Sequence, residues 1–182
     1  IAWDNALTGK LMGDYCKEYI EKELGGEADI VVLTMAQSTH CLEREAAFKE
    51  VMATIPGVNI ISTQDCEGNR EKGANAIANI KEDVDIIYSV VDNGAWGAVS
   101  ALEARNAKGT KVVSSGAYGS EPFEALKENH PYYKACVVVP PAEIVKHTFL
   151  AAEKHLKGEA VEKNINIDIS VADSSNVDDF GD

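Results

Sequence analysis

Five short runs of β-branched residues, separated by stretches of helical periodicity, constrain this chain more than any other feature. The runs are Ile30–Leu33, Val58–Ile61, Val84–Val90, Lys111–Val113 and Ala135–Val139. Near-continuous apolar runs of this length fit strands that are buried on both faces. Between them, residues 8–24, 40–54, 71–81, 94–107 and 141–157 carry apolar side chains at helical spacing, as with Leu11, Met12, Tyr15, Tyr19 and Ile20 in the first. Alternating strands and helices with short connections imply right-handed crossovers and a parallel sheet. The expected fold is α/β, a three-layer α/β/α arrangement around a Rossmann-like sheet. Gly25-Gly26, Pro56-Gly57, Gly109 and Gly158 punctuate the helix ends, where a left-handed residue costs little.

In such a sheet, ligands bind beyond the carboxyl ends of the strands. That rule selects four loops: Gln37–Cys41, Gln64–Asn69, Val91–Gly94 and Ser114–Glu121. The tail from Asp173 to Asp182 is polar and acidic, and is expected to be extended or frayed.

With 182 residues there is enough chain for one good core and too little for two full α/β domains. Thirty acidic against 17 basic residues give a net charge of −13, which repels phosphate backbones and anionic membrane surfaces and argues against nucleic-acid partners. No apolar run approaches the ~20 residues that span a bilayer. The chain opens on Ile1 without an initiator Met or a signal peptide, so its natural N-terminus is expected to lie upstream.

The loops carry no phosphate-binding glycine motif and no G-x-S-x-G elbow. The glycine-rich Gly116–Ser120 stretch is explained by a turn. The four cysteines, Cys16, Cys41, Cys66 and Cys136, form no C-x-x-C pair, and free packed thiols are the expected reading. His40, Cys41 and Cys66 fall at neighbouring strand ends, where a metal site or a Cys–His pair competes with a plainer reading. The plainer one, a helix-start histidine and two packed thiols, is preferred. No converging acid–base or nucleophile set is found, so the chain is expected not to be an enzyme and to need no metal or cofactor.

Several segments resemble the periplasmic sugar-binding proteins of the ribose type. Ala2–Lys10 followed by Gly13-Asp14-Tyr15 resembles the family's first crossing between lobes. Glu43–Phe48 resembles its E-R-x-x-G-F helix, and Val91–Ala98 its N-D-x-x-A-x-G-A turn. Leu156–Glu159 resembles the L-x-G-E that ends the last long helix, and Ser175–Phe180 the closing E-N-V-D-x-[YF]. Each motif is weak alone, but five in order across the whole chain form a fairly specific signal.

The resemblance implies two α/β lobes joined by three crossings, with ligand in the cleft between them. Residues 1–140 would then be the C-terminal lobe. Residues 141–170 would form a helix and strand that pack on a missing N-terminal lobe, and 171–182 the acidic tail. It further implies an extracellular or periplasmic location, free or held by a lipid anchor, and delivery of a small polar solute, of the sugar class, to an ABC transporter permease. An isolated lobe would be prone to self-association. A lactose-repressor-type effector lobe, a receptor sensor domain and a flavodoxin-like cofactor binder are the rival readings.

The family often holds sugar hydroxyls with an Arg at the position of Leu42, an Asn at Val91, an Asp at Gly116 and a Gln at Val139, with a stacking aromatic near Gly68. All five roles are missing here. Either the register differs by a residue or two, or the chain reads a different ligand. The candidate contacts are His40, Asp92, Asn93, Tyr118, Gln64 and, as a stacking face, Trp3, whose rival role is hinge packing. Asp92 is expected first of all to cap the following helix, Thr39 to be an N-cap, Arg44 to be an ion-pair or cap partner, and Trp96 to be core.

Overall fold

The computed structural model describes residues 1–180. Six strands, β1 (Glu27–Thr34), β2 (Gly57–Asp65), β3 (Ile86–Ser89), β4 (Lys111–Ser114), β5 (Tyr133–Val138) and β6 (Ser170–Asp173), form one sheet in the order β2-β1-β3-β4-β5-β6. The first five are parallel, and β6 joins β5 antiparallel at the edge. The helices are α1 (Asn5–Glu23), α2 (Thr39–Met52), α3 (Arg70–Ala78), α4 (Asp92–Ala104), α5 (Glu121–Lys127) and α6 (Pro141–Leu156).

The alternation of side chains along β1 explains the layers. Ile30 and Val32 point into one core with Met12, Cys16 and Ile20 of α1 and Phe48 and Met52 of α2. Val31 and Leu33 point into the other, with Ile77 of α3, Trp96 and Leu102 of α4, and Leu126 of α5. Both faces of the strand are covered, so its residues read as a continuous apolar run. Asp4 caps α1 by accepting the Leu7 N–H at 2.8 Å, and Asn69 caps α3 by accepting the Lys72 N–H at 3.0 Å.

Three expectations are corrected and one helix is added. The tail is not frayed over residues 173–180. Asp173 ends β6, a 3₁₀ turn spans Val177–Phe180, and Val177 is buried with Phe180 packed beside it. Asn176 braces the turn, accepting the Asp173 N–H at 2.9 Å and donating to Val171 O at 3.0 Å; Gly181 and Asp182 lie outside the described residues. The loop after β4 runs to Ser120, and at Glu121 it passes into α5, a seven-residue helix that the sequence reading does not include, with Pro122 near its N-terminus. The α2 cap is Ser38, whose Oγ accepts the Cys41 N–H at 3.4 Å, and Thr39 is already helical. The α4 cap is Val91, which has an extended backbone, while Asp92 is the first helical residue and caps nothing.

Helix α6 buries no residue at all. Val145, Phe149, Leu150 and Leu156 are all exposed. The segment that follows it returns to the start of the chain: the Ala2 N–H donates to Ile165 O at 3.0 Å, and the Ile167 N–H to Ala2 O at 2.8 Å. Chain start and helix exit therefore run side by side.

Candidate functional site at the carboxyl edge of the sheet

Strand order reverses between β1 and β3, since α2 after β1 packs on one face of the sheet and α4 after β3 on the other. A doubly wound sheet opens a crevice at such a switch point, beyond its carboxyl ends. Here the crevice lies between the loops that follow Thr34 and Ser89.

Arg44 of α2 closes the floor of that crevice. Its Nη1 donates to Val90 O at 3.0 Å and to Ser115 O at 3.1 Å, and its Nε donates to Asn5 Oδ1 at 2.9 Å. One side chain thus ties α1, the end of β3 and the residue after β4 together. It is neither an ion-pair nor a cap partner: all three acceptors are neutral oxygens, two of them carbonyls left free at strand ends. Ser115 is held again from below, where its Oγ shares a 2.7 Å hydrogen bond with the Tyr88 hydroxyl. The Tyr88 ring stacks on Phe48 at 3.8 Å. Because hydrogen bonds to charged donors are worth ~1.5–3 kcal/mol each before compensation by water, Arg44→Ala is expected to lower stability by about 2–4 kcal/mol. Arg44→Lys should restore less than half of that, since a single ammonium cannot reproduce the fork. Urea midpoints measure both, and a loss under ~1 kcal/mol for Arg44→Ala would show that water replaces the guanidinium.

The candidate contacts distribute unevenly around this floor. Asp92 and Asn93 open α4, and the Ser115–Tyr118 segment lies against them, with a Cβ on Gly116 falling 3.7 Å from Asp92 N. Burial raises the Asp92 carboxyl to about 6, and Glu121 adds to the rise. The Tyr118 N–H, the Trp96 indole and Arg70 oppose it. Tyr118 itself stands 86% exposed, free to meet a ligand or solvent. His40 is an exposed residue of the first turn of α2, 3.3 Å from Asn5 and 3.8 Å from Glu43. Trp3 is half-buried just before α1, with its indole N–H unpartnered. Gln64 belongs to edge strand β2 and donates to Ser62 Oγ at 2.7 Å. The structure brings Asp92, Asn93 and the Tyr118 backbone together; His40 joins the floor through Asn5, and Gln64 is engaged on its own strand.

His40, Cys41 and Cys66 do not converge. Cys41 lies in the core under α1 and α2, and Cys66 in the core on the other face, donating to Thr34 O at 3.3 Å. Arg70, which the sequence did not single out, connects three parts of the rim. Its guanidinium pairs with Glu121 at 2.5 Å and lies 5.8 Å from the centre of the Trp96 ring.

Residues 1–160 match the periplasmic binding protein domain family. The chain belongs to this family. Its relatives include the ribose import binding protein RbsB of Haemophilus influenzae, 32% identical over 94% of this chain and 57% of the relative. The Escherichia coli RbsB is 29% identical over 94% of this chain and 56% of its own length. The chain therefore spans little more than half the length of the curated relatives it matches. Among solved structures, an ABC transporter periplasmic solute-binding protein from Actinobacillus succinogenes with bound D-allose superposes with a TM-score of 0.89. It covers 99% of this chain and 62% of that one at 20% identity. That likeness shows the periplasmic-binding-protein fold.

Proposed function

We propose that this chain is one lobe of a solute-binding protein that captures a small polar solute of the sugar class and passes it to the permease of an ABC transporter. The observation that carries the reading is the braced switch point. Arg44 fixes a rigid floor, around which polar and aromatic side chains stand on short loops, in a chain whose relatives are named for ribose import. Nothing in the mechanism is chemical. Ligand contacts on both sides of a cleft select the closed arrangement of two lobes. His40, Asp92, Asn93, Tyr118, Trp3 and Gln64 are the proposed contacts of this side. The protein works outside the cytoplasm, in the periplasm or tethered to a membrane by lipid, and it is not an enzyme.

In this reading residues 1–140 form the lobe, and α6 docks on a second lobe encoded upstream. Two observations support that placement: α6 is without any buried residue, and Ala2 pairs with Ile165–Ile167, so the chain leaves toward and returns from the same side.

Mass spectrometry of the small molecules that copurify with a longer protein carrying both lobes, followed by calorimetry of that protein with ribose, allose and other free sugars, tests the proposal. A saturable sugar is the expected result, and a copurifying nucleotide or flavin would overturn it. Alanine at His40, Asp92 and Tyr118 should each weaken sugar binding about 5-fold or more, the equivalent of losing one hydrogen bond or stacking face at ~1–3 kcal/mol. Unchanged affinity in all three would move the site elsewhere.

A further inference from the structure

The crevice at the switch point differs between its floor and its rim. On the floor, the polar groups of the strand ends are already engaged within the protein. Thr34 O accepts the Cys66 N–H at 3.0 Å and the Cys66 thiol at 3.3 Å. Ser89 O accepts the Ser115 N–H at 2.9 Å, and Met35 O the Ser38 N–H at 3.0 Å. Val91 O accepts the Ser89 hydroxyl at 2.6 Å, while Val90 O and Ser115 O share Arg44. The Thr34 hydroxyl donates to the Glu45 carboxylate. A solute hydroxyl that reached this floor would compete with existing bonds instead of completing a vacant one.

The side chains that cover the floor are apolar. Met35 follows β1, Val91 follows β3, and both are partly exposed. A Cβ on Gly68, in the loop after β2, would lie 3.1 Å from Met35 Sδ and 3.7 Å from Val91 Cγ2. The loops after three neighbouring strands therefore meet at Met35 and Val91 around a bare glycine backbone. Leu42, in the first turn of α2, extends this surface and is 43% exposed. It shares a helix stripe with Glu45 and Lys49, which reach Thr34 at the end of β1 and Thr63 of β2. Leu42 lies one turn before Glu45 on that stripe, which carries it past the end of β1 to where Met35 emerges.

We propose that Met35, Leu42 and Val91 form an apolar subsite that reads a methyl or methylene edge of the solute, so that this lobe selects a deoxy sugar over its fully hydroxylated counterpart. The subsite rests on the reading of the solute as a sugar and narrows it. A methyl group seated there leaves water for an apolar surface, whereas a hydroxyl loses its water and gains no partner. The unbranched thioether of Met35 adapts its shape to the group it meets.

Calorimetry on the longer protein that carries both lobes tests the subsite with matched pairs: L-fucose against L-galactose, L-rhamnose against L-mannose, and 2-deoxy-D-ribose against D-ribose. In the pair that binds most tightly, the deoxy member should bind about 10-fold or more tighter, the scale on which an apolar pocket rejects an added hydroxyl. Leu42→Gln and Val91→Thr each place a hydrogen-bonding group on the subsite, and each should cut that ratio about 5-fold or more. Leu42 is exposed, and threonine keeps the branched shape of Val91, so melting temperatures should stay close to the parent's. Should Val91→Thr fail to fold, Leu42→Gln decides. Binding without a preference for the deoxy member, or a ratio that both variants leave unchanged, overturns the proposal and leaves the sugar reading standing. Binding of none of these sugars, nor of any other, overturns both.

Discussion

Gly9→Ala and Gly97→Ala are each expected to cost about 3 kcal/mol or more, lowering Tm by roughly 6–12 °C. Both glycines stand where two helices approach too closely for any side chain. A Cβ on Gly9 of α1 would lie 2.0 Å from the Arg44 carbonyl oxygen of α2. One on Gly97 of α4 would lie 2.1 Å from the Arg70 carbonyl oxygen and 2.7 Å from Ala74 N of α3. The obstacles are backbone atoms of neighbouring helices, so no rotamer change relieves them and the helices must part. Parting α1 from α2 moves the backbone that bears Arg44. Its donors at 3.0 and 3.1 Å from Val90 O and Ser115 O then lose alignment. Gly13→Ala provides the control. Its new Cβ would meet Val51 Cβ at 2.8 Å, a milder overlap than the 2.0 and 2.1 Å approaches at Gly9 and Gly97, so a smaller loss is expected there. Thermal melts of the three variants measure the effect. A drop of less than ~2 °C for Gly9→Ala would mean that α1 and α2 separate at little cost.

These close helix contacts were invisible in the sequence, whereas the sheet was legible. Ile30–Leu33 and Ala135–Val138 read as strands because both of their faces are buried, which leaves no polar interruption. Strand β6 was missed for the opposite reason. Ser170-Val171-Ala172-Asp173 lies on an edge with only Ala172 buried, and its composition does not differ from that of a loop. Helix α5 spans only seven residues, too few for periodicity to register. At the site, the rule that ligands gather at carboxyl strand ends located the right loops, but it could not assign roles within them. Asp92 has the composition of a cap. Only its backbone conformation shows that the helix begins one residue earlier and that its carboxylate turns to the Trp96 indole and the Tyr118 N–H instead. Arg44 and Arg70 make their contacts to groups 46 and 51 residues away in sequence, a separation that no local motif encodes.

Replacing Val145 and Phe149 with Lys and Asp is expected to leave the Tm of this chain within ~2 °C and yet to weaken its self-association on the order of 100-fold, or roughly 2.8 kcal/mol. The two effects should separate because α6 buries no residue against the rest of the chain, so its exposed face is available for association without supporting the fold. Val145 is 53% and Phe149 73% exposed, and the two lie one turn apart on the same face of the helix. The opposite flank is already lined, since His147, Leu150, Ala151 and Lys154 share a shallow groove with Val161 and Ile165 of the returning segment. An exposed apolar stripe rimmed by the Glu143–Lys146 and Glu153–Lys157 pairs has the makeup of an interface. In a longer protein that carries the upstream lobe, the same double substitution should have the reverse profile. It should lower Tm, because the stripe is now buried against that lobe, and reduce solute affinity about 10-fold or more by loosening the pairing on which cleft closure depends. Sedimentation and melting of both proteins, with and without the substitutions, read out the whole scheme. A longer protein whose Tm and affinity ignore the double substitution would place α6 outside the lobe interface.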